Sequence, residues 1–489
     1  MNLDITPSPS AFLQAHLGDL YVMPVLHEME KWWENTGREI SHSVDQAGTP
    51  WVKQFDARGQ RIDEIQMSAG YRDMLHVGYR NGVIWRAFEE TLLSSFVLGY
   101  VTSFYDMGLY CPYTLSLVTA VTLDKYGPPS VRDGFLRNLL RKDEGVWQGA
   151  TWMTEIRGGS DLGASVETIA SPTSFGQWSL QGEKYFCSNV GAEVAIVAAR
   201  PSGASQGIRN LALFLVPKYR QNGALNYHVR RLKDKIATRS VPTGEVELDQ
   251  SEAYLLGDIH TGMYVLLEVL NLSRVCNSIA SIAVMQRAIG EAYTFAKNRI
   301  VFGKPLIDQP LMRAQFEARA QSLAEGFALA WESALLANQV WQETGPNYSE
   351  RFHLFRLVTH LAKYWTAELA TQTAKWSMEV HGGIGTLAEF GVERLLREAM
   401  IADIWEGPPH RQILDGLEVI ERKRAHELLF NHLAQYGYED EQRELRQELE
   451  TYIQWQGQER EAHAEQLFKR LAQYTAKALA VKNQQEVFG

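Results

Sequence analysis

Hydrophobic and polar residues follow two different periods along the chain, and the period changes twice. Over residues 71–140 apolar side chains recur every fourth position, which is typical of amphipathic helices. This spacing is seen at Ile84, Phe88, Leu92 and Phe96. Between about 149 and 259 short β-type runs take over, separated by Gly, Ser, Asn and Pro. From 264 to about 436 the helical period returns in long segments.

The middle region predicts many short strands joined by frequent turns. Its clearest β-type runs are residues 178–180, 194–197, 211–216 and 245–248. A block of this kind between two helical blocks favours an antiparallel barrel or sandwich. The fold class is therefore α+β and mostly α, with a central β-barrel or sandwich domain between an N-terminal helical domain and a C-terminal helical bundle.

Glycine and proline mark the breaks between the helices. Pro112 and Pro128 predict breaks in the N-terminal helical block. The long C-terminal segments are interrupted at residues 303–310, 345–347, 382–385 and 407–409. Long helices with short loops predict a bundle.

Five regions follow from these patterns. They are an N-terminal extension (1–70), an N-terminal helical domain (71–147), a central β-domain (148–260), a C-terminal helical bundle (261–437) and a helical tail (438–489). The extension is expected to lie on the surface, with residues 55–60 as a tight turn between two short extended pieces. The tail carries one apolar stripe, formed by Leu445, Leu449, Tyr452, Leu467, Leu471 and Tyr474.

Composition narrows the possible functions. The chain of 489 residues has 45% hydrophobic and 22% charged residues and a net charge of -10, which argues against broad binding to nucleic acid or to an anionic membrane. Cys111, Cys187 and Cys276 are widely separated and have no metal-ligand spacing, so they are expected to be buried thiols in a reducing compartment. The first residues lack a signal-peptide pattern, and no run of about 18 apolar residues predicts a membrane span, so we expect a cytoplasmic protein.

Glu406 is the leading candidate for a catalytic group. It follows Ile404 and Trp405 and precedes Gly407-Pro408-Pro409, where a helical pattern must stop because proline cannot donate to the next turn. Apolar neighbours disfavour the charged carboxylate, so the pKa of Glu406 is expected to rise, as a general base requires. The alternative is that Glu406 caps the helix or faces water.

Three further motifs allow either a ligand-binding or a purely structural interpretation. Gly158-Gly159-Ser160-Asp161, after Met153-Thr154-Glu155, can approach a phosphate or a flavin ring, or it can form an ordinary β-turn. Arg299 and Phe302, before Gly303, can bind a pyrophosphate and an adenine, or they can end a helix with a glycine cap. The glycines of 381–385 resemble a dinucleotide fingerprint, but helix precedes them where that fingerprint needs a strand.

Arg274 lies in an otherwise apolar helical segment and is expected to need a buried acidic or polar partner. The thirteen histidines show no zinc-binding spacing, and no nucleophile-elbow motif is present. The sequence therefore predicts neither a metal site nor a serine-hydrolase triad.

In their order and spacing, these motifs resemble the acyl-CoA dehydrogenase superfamily from about residue 71 to 420. The resemblance includes Met-Thr-Glu-x-x-x-Gly-Ser-Asp at 153–161, Gly182-x-Lys184-Tyr185-Phe186-Cys187-Ser188 and Arg299-x-x-Phe302-Gly303. It continues through His381-Gly382-Gly383, residues 393–399 and the Trp405-Glu406-Gly407 loop. Segments 55–63, 231–235, 305–313 and 404–407 are most similar to the AidB-like branch of the superfamily.

The resemblance implies an acyl-CoA dehydrogenase fold, FAD as cofactor, a homotetramer and a role in fatty acid metabolism. It implies that Glu406 is the catalytic base and that Arg274 stands near it and orients it. Flavin contacts are implied for Met153, Thr154, Gly159, Ser160, Phe186 and Ser188. Contacts with the FAD pyrophosphate and adenine, often of a neighbouring subunit, are implied for Arg299, Phe302, Glu379, Gly382 and Gly383.

The implied reaction is α,β-dehydrogenation of an acyl-CoA thioester. Glu406 removes the α-proton while the β-hydrogen leaves as a hydride to flavin N5, and electrons pass to an electron-transfer flavoprotein or dioxygen. The thioester carbonyl is polarised by the Glu406 backbone N–H and a ribityl hydroxyl.

The alternative is a flavoprotein of the alkylation-damage response that binds nucleic acid. We expect nucleic acid to be the less favoured partner because acids slightly exceed bases in the tail. A non-catalytic scaffold is a third hypothesis.

Overall fold

A computed structural model of the protein describes residues 5–455 and 457–488. In chain order it contains an N-terminal helical block, a central β-domain and a C-terminal helical bundle followed by two tail helices. The predicted fold class is confirmed.

The first helices belong to the main hydrophobic core. The N-terminal elements are α1 (Pro9–Leu17), α2 (Met23–Trp32), α3 (Arg38–Ala47), β1 (Trp51–Phe55) and β2 (Arg61–Gln66). The predicted turn over 55–60 joins the two strands of a hairpin. The expectation of a surface position is wrong for the helices, because Phe12, Leu26 and Trp33 are buried in the core that they share with the later helices.

The second helical block differs from its prediction at one proline. Its helices are α4 (Ala69–Asn81), α5 (Arg86–Glu89), α6 (Leu92–Tyr105), α7 (Met107–Tyr126) and α8 (Pro129–Leu139). Pro128 separates α7 from α8 as predicted, whereas Pro112 lies inside α7. The break comes earlier, at Asp106, whose carboxylate caps α7 by accepting the Leu109 N–H at 2.9 Å.

The central domain is a small barrel with attached strands. It comprises β3 (Gly149–Trp152), a short helix α9 (Leu162–Ser165), β4 (Ile169–Pro172), β5 (Trp178–Ser188), β6 (Val194–Pro201), β7 (Ala212–Pro217), β8 (His228–Leu232) and β9 (Thr243–Leu256). Strands β4, β5, β9, β7 and β6 pair successively, and β6 pairs with both β7 and β4, which closes the ring. Closure gives each of the five ring strands a partner on both sides, whereas β3 and β8 each pair with a single strand.

The sheet is mostly antiparallel, as predicted, but it includes two parallel pairings. β6 runs parallel to β3 and to β4. Its residues from Val194 to Arg200 are all buried, which is typical of a strand covered on both faces. β3 packs against α7, and β7 contacts α10. The barrel therefore contacts helices that precede it in the chain as well as helices that follow it.

The C-terminal bundle is built from long helices whose breaks lie where glycine and proline predict them. The elements are α10 (Gly262–Asn298), β10 (Ile300–Val301), β11 (Lys304–Pro305), α11 (Pro310–Val340), α12 (Glu350–His381), α13 (Val392–Ile404), α14 (Pro409–Lys423) and α15 (Ala425–His432). Of the helices within the described residues, α10 alone is long and apolar enough to cross a membrane, and 83% of its apolar window is buried inside the protein. It is the central helix of the bundle, in contact with α6, α7, α11, α12 and α13.

The tail consists of α16 (Glu439–Gln454) and α17 (Gln458–Phe488), and it packs on the bundle. The predicted apolar stripe is buried at every one of its six positions. Phe468 of α17 is fully buried and contacts the ring of Tyr364 on α12, with ring centroids 5.6 Å apart. The tail helices therefore extend the bundle core.

Replacing Phe468 tests whether the tail stabilises the bundle. We expect Phe468→Ala to lower the free energy of unfolding by about 3–5 kcal/mol, because it leaves a cavity between α17 and α12. Denaturant unfolding followed by tryptophan fluorescence measures the change. The neighbouring exposed residue provides a control, since Gln466→Ala is expected to change stability by less than about 0.5 kcal/mol. Equal stabilities of the two variants would contradict the packing role of α17.

Candidate functional site

One large cavity brings together residues from the barrel and from the bundle. Its volume is about 1590 Å³, which exceeds the ~300–1000 Å³ typical of a pocket for one small molecule. Of the predicted site residues, the cavity is lined by Met153, Thr154, Gly159, Ser160, Phe186, Ser188, Arg274 and Glu406. The remaining predicted residues, Arg299, Phe302, Glu379, Gly382 and Gly383, do not line it.

The backbone at Glu406 has an unusual conformation. Helix α13 ends at Ile404, and α14 begins at Pro409, so Glu406 lies in a short connecting loop. Its φ is +58°, and that of Gly407 is +98°. A left-handed conformation costs a residue with a Cβ roughly 1–2 kcal/mol, so surrounding contacts must hold it. Trp405 supplies one of them by donating its indole N–H to Asn277 Oδ1 at 2.6 Å.

The predicted rise in the pKa of Glu406 is confirmed in direction. Burial raises it above the ordinary value, because the charged carboxylate loses water. A hydrogen bond from Ser273 and the positive charges of Arg274 and Lys363 act in the opposite direction but do not cancel the effect of burial. Glu406 is therefore poised to take up a proton more readily than an exposed carboxylate.

Arg274 contacts the Glu406 loop through the backbone. Its Nε donates to the Glu406 carbonyl oxygen at 3.0 Å, and its guanidinium lies 3.5 Å from Asp415 of α14. It also donates to Asn271 Oδ1 at 3.3 Å. Arg274 is 4% exposed, so these are the polar partners that its burial was expected to require.

Sequence reasoning missed several polar residues around Glu406. Gln412 donates to the carbonyls of Glu406 and Gly407, at 3.0 and 2.9 Å. Lys363 donates to the carbonyls of Asp403 and Gly407, at 2.9 and 2.8 Å. Lys363 could have been found by the argument used for Arg274, since it is a lone cation in an apolar helical stretch. Gln412 carries no comparable sequence signal.

The glycine-rich loop is anchored by a buried ion pair beneath it. The Glu155 carboxylate accepts hydrogen bonds from Lys184 Nζ at 2.5 Å and from the Thr168 hydroxyl at 2.6 Å. Burial would raise the pKa of Glu155, but Lys184 and the hydrogen bonds outweigh it and lower that pKa. The predicted β-turn is present, because Gly158 N–H donates to the Glu155 carbonyl at 2.9 Å. The turn and the ligand-binding interpretation are thus compatible.

The barrel side of the cavity presents an aromatic ring and several hydroxyls. Phe186 is 52% exposed, although it is a large apolar residue. Thr154, Ser160 and Ser188 line the same wall, and Ser188 Oγ lies 3.3 Å from Thr243 Oγ1. An exposed ring beside hydroxyl groups suits a flat ligand with polar edges, such as an isoalloxazine.

All three cysteines are free, and their positions differ. Cys187 and Cys276 are buried as expected. Cys111 is partly exposed and lines the cavity, so the expectation of burial is wrong there. Partial loss of water still raises the pKa of the Cys111 thiol to about 12, which keeps it protonated at neutral pH.

The other five predicted residues form a separate outer surface, which we define as Arg299, Phe302, Glu379, Gly382 and Gly383. The ends of α10 and α12 meet there, since the rings of Phe295 and His381 are 4.5 Å apart. Phe302 is 99% exposed, with a left-handed φ of +49°. A Cβ on Gly382 or Gly383 would meet no atom within 4 Å. The side chain of Phe302 and the space beside Gly382 and Gly383 are therefore not covered by other residues of this chain.

The end of the cavity near the start of α12 is rich in positive charge. Arg356, Arg411, Arg422 and Lys423 line it together with Asp415 and Glu418. Asp415 is paired with Arg411, and Glu418 with Arg422. Within the described part of the chain Arg356 forms no ion pair, and its Nε is buried without a hydrogen-bond partner. A partly buried guanidinium that forms no ion pair favours an anionic ligand group at this end.

Among the described residues, one group has a spacing compatible with a metal ion, and it lies outside the cavity. Its members are His426, Glu427 and Glu450, with ligand atoms within 4.8 Å of one another. Both carboxylates already form ion pairs, Glu450 with Arg424 and Glu427 with Arg446. The group is best explained as an ion-pair network of the tail.

Comparisons with known proteins cover most of the chain. Residues 28–143 match the adaptive response protein AidB N-terminal domain, 150–251 the acyl-CoA dehydrogenase middle domain and 260–420 the acyl-CoA dehydrogenase C-terminal domain. Acyl-CoA dehydrogenase family member 11 of Caenorhabditis elegans is 29% identical over 82% of this chain and 67% of that protein. AidB of Escherichia coli is 30% identical over 76% of this chain and 70% of that protein.

Solved structures have the same fold. The apo-form of Bd2924 is 27% identical, with a TM-score of 0.89 over 98% of this chain and 96% of that one. Caenorhabditis elegans ACDH-11 in complex with C11-CoA is 24% identical, with a TM-score of 0.87 over 100% of this chain and 88% of that one. Together with the three matched domains and the relatives, this similarity shows that the chain belongs to the acyl-CoA dehydrogenase family of flavoprotein oxidoreductases, in its AidB-like branch.

Proposed function

We propose that the protein is an FAD-dependent acyl-CoA dehydrogenase in which Glu406 removes the α-proton of an acyl thioester. The observation that carries this proposal is the position of Glu406. Its partly buried carboxylate, with a raised pKa, lines the same cavity as the exposed Phe186 ring and the hydroxyls of the barrel wall. Family membership supports oxidoreductase chemistry at such a site.

Proton abstraction requires a carboxylate that is ionised before the reaction and basic enough to hold the proton afterwards. Burial of Glu406 supplies the basicity, and Arg274 and Lys363 keep the ionised form accessible. The Glu406 N–H lies beyond the last residue of α13 and is not used by the helix. We assign it to the thioester carbonyl, whose polarisation makes the α-proton removable.

The residues of the cavity fit FAD. Phe186, Ser188 and Thr154 would hold the flavin side, with Met153, Gly159 and Ser160 from the glycine-rich loop. FAD, when bound, supplies the acceptor for the β-hydrogen, which leaves as a hydride while the α-proton goes to Glu406. The product would be the 2-enoyl thioester, and an electron-transfer flavoprotein or dioxygen would be the final electron acceptor.

The outer surface supports a homotetramer in which neighbouring chains complete each other's FAD site. Arg299 can pair with a pyrophosphate, and Phe302 can pack against an adenine. The full exposure of Phe302 and the open space at Gly382 and Gly383 leave room for such a group. Glu379 is paired with Lys375 here, so it offers no hydrogen-bond donor to an adenine.

We assign the unpaired Arg356 to the phosphate groups of CoA. The cavity continues from Glu406 to this residue, so a thioester at Glu406 can extend its CoA portion towards Arg356. Phosphate groups are preferred partners of a guanidinium. That ACDH-11, a structural neighbour, was solved with C11-CoA supports a CoA thioester as the ligand class.

Nucleic-acid binding, the alternative hypothesis, receives less support from the tail. Its described arginines are engaged with acids of the same chain, including Arg443 with Asp440, Arg460 with Glu421 and Arg470 with Glu448. Charges neutralised in this way contribute less to counterion release on DNA.

The proposed base can be removed without changing the shape of its side chain. We expect Glu406→Gln to bind FAD as the wild type does but to lose flavin reduction by acyl-CoA by about 10²–10⁴-fold, the usual contribution of a general base. Anaerobic stopped-flow measurement of the visible flavin band gives the rate. Glu389→Gln, at an exposed position, serves as the control. Normal reduction of the Glu406→Gln flavin would remove Glu406 from this role.

The pH dependence of that rate provides a second test. Only ionised Glu406 can accept the proton, so the rate is expected to rise with pH through a midpoint above the ordinary glutamate value of 4.5. Ser273→Ala removes a hydrogen bond that lowers the pKa of Glu406, so the midpoint should move to higher pH. Ser281→Ala on the same helix, whose hydroxyl donates to Asn277 O at 2.8 Å, should leave it unchanged. A shift to lower pH in Ser273→Ala would contradict the assignment.

The assignment of Arg356 predicts a difference between two thioesters. We expect Arg356→Met to weaken binding of an acyl-CoA by about 10–100-fold, because a hydrogen-bonded charge pair is lost. An acyl-N-acetylcysteamine thioester lacks the phosphates, so its weaker binding should be unchanged by the substitution. Equilibrium titration of the flavin band measures both. Equal losses for the two thioesters would show that Arg356 does not bind the phosphates.

A further inference from the structure

The loop that carries Glu406 is held by four side-chain hydrogen bonds to two carbonyl oxygens. The Glu406 carbonyl accepts from Arg274 and Gln412, each at 3.0 Å. The Gly407 carbonyl accepts from Lys363 at 2.8 Å and from Gln412 at 2.9 Å. Glu406 and Gly407 are also the two residues of this loop that have left-handed φ values. The hydrogen bonds thus converge on the part of the loop whose backbone is least favourable by itself.

Lys363 differs from the other two donors because it joins the loop to the helix before it. Its Nζ donates to Asp403 O in the last turn of α13 as well as to Gly407 O. In the sequence Asp403 lies three residues before Glu406, and Gly407 lies directly after it. Lys363 is 1% exposed and forms no ion pair among the described residues, so backbone carbonyls are its hydrogen-bond partners. Burying a lysine in this way is costly unless its donors are used.

Gln412 is oriented by a second buried side chain. Its Oε1 lies 3.0 Å from His360 Nδ1. Since the amide oxygen can only accept, His360 must carry its proton on Nδ1, and Gln412 Nε2 is then directed to the two carbonyls. Burial lowers the pKa of His360 well below its usual value, so the neutral ring with this single proton persists at neutral pH.

We propose that Lys363 is a positioning residue that fixes Glu406 for proton abstraction by tying Gly407 O to the end of α13, with Gln412 completing the clamp. This inference rests on the proposed function for its catalytic consequence. The conformational consequence is independent of it: without Lys363, the loop from 404 to 412 loses the connection between α13 and Gly407.

The charge of Lys363 also bears on Glu406. Burial lowers the pKa of Lys363 to about 7, while Asp403 of α13 and Glu406 act to raise it and Arg274 of α10 acts to lower it further. In its charged form Lys363 lowers the pKa of Glu406. Removing this charge should therefore raise the pKa of Glu406, which a purely structural role would not predict.

The conformational part is tested by hydrogen–deuterium exchange of the FAD-loaded protein, read by mass spectrometry. We expect Lys363→Met, whose unbranched side chain is one atom shorter and has no donor, to speed exchange of the 404–412 amides about tenfold. Exchange in α17 should stay as in the wild type. Lys142→Met, at an exposed lysine of the N-terminal block, is the matched control and should change neither region. Unchanged exchange over 404–412, or a uniform increase that includes α17, would overturn the proposal.

A second variant keeps the test decisive if Lys363→Met does not fold. Lys363→Gln keeps N–H donors on a shorter, neutral side chain and is expected to give a smaller increase in exchange over the same segment. Wild-type exchange over 404–412 in a folded Lys363→Gln variant, when Lys363→Met cannot be made, would count against a positioning role.

The catalytic part is read from the rate of flavin reduction and its pH profile. For Lys363→Met we expect a rate lower on the order of 10–100-fold, with FAD content unchanged and the pH midpoint moved upwards. A wild-type rate with a wild-type midpoint would overturn the catalytic role. If no acyl thioester reduces the wild-type flavin, the proposed function fails, and the exchange experiment still decides whether Lys363 positions the loop.

Discussion

The removal of water from one carboxylate, Glu406, is the constraint on which the rest of this site depends. A carboxylate at the surface is a weak base, and only burial raises its pKa. The surrounding cations and the Ser273 hydroxyl act in the opposite direction and limit the rise of this pKa. The same loop must also hold a left-handed backbone at Glu406 and Gly407. Arg274 and Lys363 therefore act on both properties: their charges lower the pKa of Glu406, and their hydrogen bonds hold the backbone of its loop.

The architecture supplies those side chains from rigid helices. Arg274 lies on α10 and Lys363 on α12, two long helices of the bundle that pack against each other. Each is a cation within a buried helical stretch. Both donate to carbonyls of the Glu406 loop. The barrel provides the opposite kind of surface, with the exposed Phe186 ring above a loop fixed by the buried Glu155–Lys184 pair. A carboxylate whose loop is held by helices thus shares a cavity with an exposed aromatic ring and several hydroxyls of the barrel.

Much of this could be predicted from the sequence because periodicity and turn residues report local structure directly. The bundle breaks, the hairpin at 55–60 and the buried stripe of the tail follow from glycine, proline and apolar spacing. Pro112 misled because the capping carboxylate of Asp106, not the proline, decides where α7 begins. The burial of α1 and α2 depends on contacts with distant helices, which short-range patterns do not contain. Arg274 can be recognised from the sequence because it is a lone cation in an apolar helical segment. Gln412 and Arg356 have no such local signal, and their roles depend on neighbours that only the folded chain brings close.

The central claim is that this cavity oxidises an acyl-CoA thioester, and it is tested most directly by an anaerobic titration of the purified, FAD-loaded wild-type protein. A panel of acyl-CoA thioesters of increasing chain length is added while the visible flavin absorbance band is followed. The account predicts that the band bleaches with one chain-length class and that the 2-enoyl-CoA forms in equal amount. A protein that binds FAD but whose band no acyl-CoA bleaches would contradict it.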